Sequence, residues 1–320
     1  MYKYASAIGI DIGRTGIKYG IVRYDGMVLN HDRIQYNQRR NREAVLKKLI
    51  TVVKEMLDYA SDNKINPLSI GIGSPGFVDP QTGVILGAAL HIRDWKDIPL
   101  GETISGRFGI PAFVDNDATL YGYAEWLFGA ARNRENVLFV SLRSGIGGAI
   151  VVNGKLYRGN HNAAGEFGQM SINFRGARNK WGGRGTLESY AGAEALVKHY
   201  NRLVKKRGNG DLTVTTAKPV FDRFNQGERV AADAVRENAF FLGIGLGNLV
   251  NIFSPGLIVL GGGMALGGKQ YISLIRESLV NHAMDNCVND LKIITARLKE
   301  KAGFIGAAHY ALERLDGKIP

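Results

Sequence analysis

Cysteine is nearly absent from this chain: Cys287 is the only one in 320 residues. That excludes an intramolecular disulfide and any metal site built on two or more thiolates, and it points to a reducing compartment, the cytoplasm. Proline is scarce too, at 8 residues, and with 45% hydrophobic and 22% charged residues the composition excludes collagen-like, low-complexity and disordered chains. No run of about 18 apolar residues could cross a membrane, and residues 1–9 lack the basic start and apolar core of an export signal. The 6 histidines fall in no paired metal-binding spacing. Acidic residues are outnumbered 29 to 41, a net charge of +12. Such a field attracts nucleic acid, an anionic membrane or an anionic small molecule, and charge alone does not choose among them. The densest basic cluster, Lys205, Lys206 and Arg207, sits in a polar stretch that reads as solvated surface.

What is present is an alternation of short apolar runs with longer amphipathic stretches, the pattern of an α/β architecture. Strands are expected at 5–10, 17–23, 68–73, 112–115, 136–142, 148–152, 256–260 and 291–295, and helices at 41–61, 118–130, 187–206, 230–253, 269–285 and 304–315. A weak internal repeat organises them. Ile10-Asp11-Ile12-Gly13-Arg14-Thr15-Gly16 lies between two apolar runs, the second leading into Asp25-Gly26. Later, Ser141 to Gly148 lies between two apolar runs, the second leading into Asn153-Gly154. Asp-Gly and Asn-Gly between apolar runs signal hairpins, because a type I′ turn needs positive φ at both central residues. Each half therefore opens with strand, glycine-rich turn, strand and hairpin, so two similar domains with facing turns would enclose a cleft. The boundary is expected near residue 118, giving domains 1–117 and 118–302, with a C-terminal helix in 303–320 packing back on the first.

The turns at Gly13/Thr15/Gly16 and Ser144/Gly145/Gly147/Gly148 can offer successive backbone N–H groups to phosphate oxygens, or they are simply tight strand turns. Asp11, at the end of an apolar strand, could hold Mg²⁺ through water. Gly71-Ile72-Gly73-Ser74-Pro75-Gly76 spells a dinucleotide-binding pattern but continues into no amphipathic helix, and Gly263 to Gln270 misses a P-loop because Gln270 stands where a Ser or Thr is required. Val114-Asp115-Asn116-Asp117 precedes a helix, so Asp117 is either an N-cap or a carboxylate that accepts a hydroxyl proton. Glu166 and Glu188 flank a Gly- and Asn-rich stretch and suit bidentate bonds to vicinal hydroxyls, or they are solvated loop residues.

Taken in order, these segments resemble the ROK family (repressor, open reading frame, kinase), in the superfamily of sugar kinases and actin, over nearly the whole chain. Asp11 to Lys18 is similar to the family's first phosphate motif, Ser74 to Asp79 to its P-G-x-V-D segment, and Val114 to Ala118 to the motif carrying the catalytic aspartate. Ser144 to Gly148 resembles the second phosphate motif, Gly165 to Gly168 and Gly185 to Glu188 the sugar-binding region, and Ile258 to Gly263 the adenosine motif. The resemblance implies two ribonuclease-H-like, actin-like ATPase domains around a central cleft, and ATP-dependent phosphorylation of a hexose or N-acetylhexosamine, at the 6-hydroxyl. It makes Asp117 the general base and gives the sugar to Gly76, His91, Asn116, Glu166, Gln169 and Glu188. ATP and Mg²⁺ fall to Asp11, Gly13, Arg14, Thr15, Lys18, Ser144, Gly145, Gly261, Gly262 and Gly263, with the metal on Asp11 through water.

Several positions depart from the family pattern. Its usual form places a zinc-binding His and three Cys where this chain has Gln169, Asn179, Trp181 and Thr186, so no structural zinc is expected and the loop must be braced by packing, with Trp181 the candidate. His91 stands in place of a common Asn, and Arg143 in place of the first glycine of the second phosphate turn. These departures motivate an alternative, a sugar-sensing protein of the same fold that has lost phosphoryl transfer. The family's repressors carry a DNA-binding module ahead of the first phosphate motif; here that motif begins at Asp11, so nucleic acid is not expected as a partner. Without an apolar span a membrane is not expected either, and the resemblance implies a homodimer.

Overall fold

The structure is a computed structural model that describes residues 4–36, 41–87, 89, 91–143, 145–208 and 210–317. It divides into two units: residues 1–132, 158–164 and 298–320 form the first, and 133–157 with 165–297 form the second.

Alternation of strands and helices follows the apolar periodicity. The first unit runs β1 (Ser6–Ile12), β2 (Gly16–Arg23), β3 (Val28–Gln35), α1 (Arg42–Asp62), β4 (Pro67–Ser74), β5 (Phe77–Asp79), β6 (Val84–Gly87), β7 (Ile98–Pro99), α2 (Leu100–Phe108), β8 (Ala112–Asn116) and α3 (Asp117–Phe128). The second runs β9 (Val137–Leu142), β10 (Ile146–Val152), β11 (Lys155–Tyr157), α4 (Leu187–Ala191), α5 (Ala193–Lys206), α6 (Ala217–Asn225), α7 (Arg229–Phe253), β12 (Leu257–Gly261), α8 (Lys269–Val280), α9 (Asp285–Val288) and β13 (Lys292–Thr295), and α10 (Ala302–Leu315) returns to the first.

The internal repeat is a repeat of topology. The first sheet is ordered β3-β2-β1-β4-β8 and the second β11-β10-β9-β12-β13. In each, three antiparallel strands are followed by two added in parallel. At Asn153-Gly154 both residues have positive φ (51° and 67°), as a type I′ turn requires. At Asp25-Gly26 only the glycine does (84°): the loop is one residue longer, closed by Arg23 N donating to Met27 O at 2.8 Å, and Asp25 instead ion-pairs with Arg23. The sequence reading also missed β3, whose residues are all half-buried or exposed and so form no apolar run, and it joined α4 to α5, which Gly192 separates with extended backbone.

The core of the first unit joins one apolar stripe of α1 (Val45, Leu49, Val52, Val53, Met56) to Ile8, Ile10, Ile12, Tyr19 and Ile21 of the sheet. The stripe recurs at helical spacing, and Asn41 caps the helix by accepting from Ala44 N at 3.0 Å. Helix α10 covers the sheet as well and is buried continuously from Ala302 to Leu312, against β1, β2, β4 and α3. It lies on bare backbone. A Cβ on Gly9 of β1 would overlap Phe304 O, and one on Gly71 of β4 would overlap Ala307 O.

Overpacking a well-filled interior costs about 1–3 kcal/mol or more, so Gly71→Ala is expected to lower the unfolding free energy by at least ~2 kcal/mol. The control is Gly106→Ala in α2, where an added Cβ meets nothing within 4 Å and the helix gains a better former; urea unfolding of the two variants is expected to move in opposite directions.

Candidate active site

In the first unit the implied residues collect at the edge where β1, β4 and β8 end. Asp11, buried at 3% exposure, is the penultimate residue of β1, opposite Lys18 of β2 and level with Gly73 of β4. The turn that follows is held by Gly13 N donating to Gly16 O at 2.9 Å, with Arg14 and Thr15 exposed at its tip. Lys18 lies 3.7 Å from Glu300. The start of α10 reaches Asp11: a Cβ on Gly303 would stand 2.5 Å from its Cγ, so glycine there lets the carboxylate sit at the positive end of the helix.

β8 ends level with β4, Asn116 opposite Ser74. Asn116, not Asp117, caps α3: its Oδ1 accepts from Ala118 N (2.9 Å) and Thr119 N (3.0 Å). Its Nδ2 donates to Gly76 O at 3.0 Å, so one amide fixes both the helix start and the loop after β4. Asp117 is the first helical residue, half-buried. Of its two sequence readings, the N-cap is therefore excluded. A Cβ on Gly73 would stand 3.5 Å from the Asp117 Cα and 3.5 Å from Ile10 O, so glycine keeps the space between the Asp11 and Asp117 strand ends open. His91 is half-buried in a turn that adjoins Gly76 through Ala89 and is tied to β4 by Trp95 Nε1 donating to Ser74 Oγ at 3.0 Å.

One residue at this edge was missed by the sequence reading. Asp115, directly before Asn116, accepts from Asn116 N at 2.7 Å through Oδ1 and from Arg158 Nη1 at 2.6 Å through Oδ2. The pair is buried, with side-chain exposures of 2% and 20%, and Arg158 also stacks over the Tyr310 ring of α10 at 5.4 Å. Burial is the largest single influence on Arg158 and opposes its charge, but Asp115, through its charge and hydrogen bond, together with Tyr310 and Tyr123 holds the guanidinium above its ordinary range. Burial likewise pushes the Tyr310 hydroxyl up, with Asp115 adding to it. Arg158 sits just past a short strand with no local pattern to mark it.

In the second unit the second of the two turns implied to hold phosphate leaves β9, closed by Arg143 N donating to Gly145 O at 3.1 Å; Ser144 lies outside the described residues. Gly262, φ 90°, sits so close over Leu142 that a Cβ would overlap its carbonyl, which places Gly261 to Gly263 at the same sheet edge as that turn. Glu188, in the first turn of α4, accepts from Ile146 N at 2.9 Å, joining the sugar-implied region to the phosphate turn. Glu166 is exposed before a short 3₁₀ turn, Phe167–Gln169. Trp181 is 42% exposed and does not brace the loop between; Asn179 Nδ2 donating to Gln169 Oε1 at 2.8 Å does. The structure thus gathers Asp11, Gly13, Arg14, Thr15, Lys18, Gly76, His91, Asn116 and Asp117 in one unit, and Gly145, Glu166, Gln169, Glu188 and Gly261 to Gly263 in the other.

No cluster of three or more metal-ligating side chains occurs among the described residues. Mg²⁺ held with a nucleotide needs only one or two carboxylates plus phosphate oxygens, and Asp11 fits that demand. Zinc takes thiolate, imidazole or carboxylate, and Gln169, Asn179, Trp181 and Thr186 supply none of these. Among the described residues no helix is long and apolar enough to cross a membrane.

The model of the ROK family matches residues 7–314. A glucokinase of Thermotoga maritima is 30% identical over 97% of this chain and 98% of its own. A xylose repressor of Caldicellulosiruptor bescii is 29% identical over 94% of this chain and 76% of its own. A ROK family glucokinase of Streptomyces griseus, solved with glucose and AMPPNP, superposes with a TM-score of 0.83 at 29% identity, covering 97% of this chain and 100% of that one. The fold shared with such sugar kinases is the actin-like ATPase fold.

Breaking a buried ion pair from one side strands the other charge at a cost of about 3–5 kcal/mol. Arg158→Ala is therefore expected to destabilise the protein by ~3 kcal/mol in urea, and adding Asp115→Asn, which keeps the bond to Asn116 N, to restore a large part of it.

Proposed function

Because this chain belongs to the ROK family, we propose that it transfers the γ-phosphoryl group of ATP to the 6-hydroxyl of a free hexose or N-acetylhexosamine. The observation that carries this reading is Asp117: a half-buried carboxylate at the start of α3, beside an amide locked by three hydrogen bonds, on the sheet edge that also presents Asp11 and the first phosphate turn. Phosphoryl transfer asks a protein mainly for positioning and charge stabilisation. Asp117 takes the proton of the hydroxyl as that oxygen bonds to the γ-phosphorus and the bond from phosphorus to the departing ADP oxygen breaks. Gly76, His91, Asn116, Glu166, Gln169 and Glu188 hold the sugar. Gly13, Arg14, Thr15, Lys18, Ser144 and Gly145 serve the phosphates, and Gly261 to Gly263 the adenosine. Asp11 is the residue that would hold Mg²⁺ with the nucleotide, and the ion would supply positive charge to offset that on the phosphates.

The C2 substituent that separates glucose from N-acetylglucosamine and N-acetylmannosamine is read, in this proposal, by His91 and the 159–185 stretch. The protein acts in the cytoplasm as a homodimer on small molecules, with neither nucleic acid nor membrane as partner. A second reading, a sugar-binding protein without transfer, draws on Arg143 in the second phosphate turn and on the likeness to a xylose repressor.

The test is coupled ADP release with Mg²⁺-ATP over a panel of hexoses and N-acetylhexosamines. General-base loss costs about 10²–10⁴ in rate, so Asp117→Asn is expected to lose at least ~100-fold in kcat while still binding the sugar by calorimetry. Turnover within tenfold of wild type overturns the assignment, and sugar binding with no turnover in the wild type selects the second reading.

A further inference from the structure

Residues 170–186 join the turn that carries Gln169 to the helix that carries Glu188 without a strand or helix of their own. Connections of this length are seldom rigid unless something braces them. Backbone bonds brace its ends: Leu187 N donates to Met170 O at 2.8 Å, and Ile172 N to Gly185 O at 2.9 Å. At its centre lies Asn179, whose amide bonds each of the other three positions where the family's usual form has its zinc ligands. Nδ2 donates to Gln169 Oε1 (2.8 Å) and to Thr186 Oγ1 (3.2 Å), and Oδ1 accepts from Trp181 N (3.0 Å). Two donor hydrogens and one acceptor oxygen are all in use. Thr186 is fully buried, precedes α4, and also pairs with Ser189 Oγ at 2.8 Å.

This network has a direction. A backbone N–H can only donate, so Trp181 N dictates that Asn179 turns its oxygen to the chain and its NH₂ to Gln169. Gln169 must then answer with Oε1, which leaves its Nε2 as the end it can offer to anything else. The sense of both amides follows from one main-chain donor and not from an arbitrary choice of flip.

We propose that Asn179 is a positioning residue that replaces a metal: it holds the Gln169–Glu188 loop in place and fixes Gln169 as a hydrogen-bond donor toward a sugar oxygen. The sugar-facing half of this rests on the kinase reading above; the brace does not. A metal-bound imidazole has only its second N–H left to give, so the polar cluster supplies the same polarity with no ion.

The decisive variant is Asn179→Asp. It keeps the acceptor for Trp181 N, replaces the donors with an oxygen, and makes Gln169 turn its NH₂ inward and its oxygen outward. Losing one donor and facing an acceptor in its place is expected to raise KM for the sugar by ~10-fold or more, with kcat and KM for ATP within twofold of wild type. Gln169→Glu is expected to raise it similarly. A brace with no bearing on the sugar would change stability alone, so an unchanged sugar KM in Asn179→Asp overturns the donor assignment. A second arm is independent of any activity. The fourfold variant Gln169→His, Asn179→Cys, Trp181→Cys, Thr186→Cys is expected to bind one zinc per chain and to lose melting temperature to a chelator that leaves the wild type unmoved. A folded fourfold variant that binds no zinc shows that the four positions do not form one site and overturns the replacement. If no sugar of the panel turns over while the fourfold variant does take zinc, the kinase reading has failed and the brace stands.

Discussion

Helix α10 can touch the backbone of the first sheet because Gly9 and Gly71 leave nothing in its way, and much of the candidate site depends on that approach. Its first turn meets Asp11 through Gly303, its middle meets the Leu120 carbonyl of α3 through Gly306, and Tyr310 further along packs under Arg158. One helix thereby sets the height of the metal-implied carboxylate and the position of the helix that begins with Asp117. A single methyl group at any of these glycines would push the helix off the sheet, since interiors packed to this density relax little. A helix near the end of the chain, Ala302–Leu315, thus helps to place residues from its first half.

Around that contact the site is built from polar groups whose hydrogen bonds are nearly all spent on position. Asn116 uses its oxygen on the first turn of α3 and its nitrogen on the Gly76 loop. Asp115 divides its oxygens between Asn116 N and Arg158. Asn179 spends all three of its bonds on the loop before α4, and Glu188 gives one oxygen to Ile146 N. Low polarity makes each unmade bond costly, so each of these groups has one favoured orientation. The orientations of Glu188 and Gln169 are set by these bonds. A reaction that needs placement more than covalent help is suited by such a scaffold.

The second sheet repeats the order of the first but not its chemistry. In the first unit the strand ends carry carboxylates and a capping amide; in the second they carry glycine turns, with Gly262 folded against Leu142. Gly245 of α7 admits Leu187, which seats α4 and the Glu188 that follows it. Repetition of topology with divergence of side chains gives the two sheet edges different chemistry.

Much of this was legible in the sequence, because it rests on local rules. Apolar runs with period two and amphipathic stretches with period 3.6 gave the α/β order, and the two glycine-rich turns followed by hairpins gave the internal repeat. The ordered motifs around Asp11, Asp117, Glu166, Glu188 and Gly261 gave the family and the candidate residues. Edge strand β3 escaped, since a strand open to solvent shows no apolar pattern, and so did the break at Gly192, since helical periodicity continues across it. Three decisions were left to the folded structure. Whether Asn116 or Asp117 caps α3 depends on which oxygen reaches two backbone N–H groups. Arg158 becomes the partner of Asp115 although 43 positions separate them. Asn179, and not the exposed Trp181, braces the loop that zinc holds in the family's usual form. The cap is local, two and three residues along the chain, and the fold only chooses between adjacent candidates; the other two are hydrogen bonds between groups that the folded backbone brings together, and no spacing along the chain encodes them.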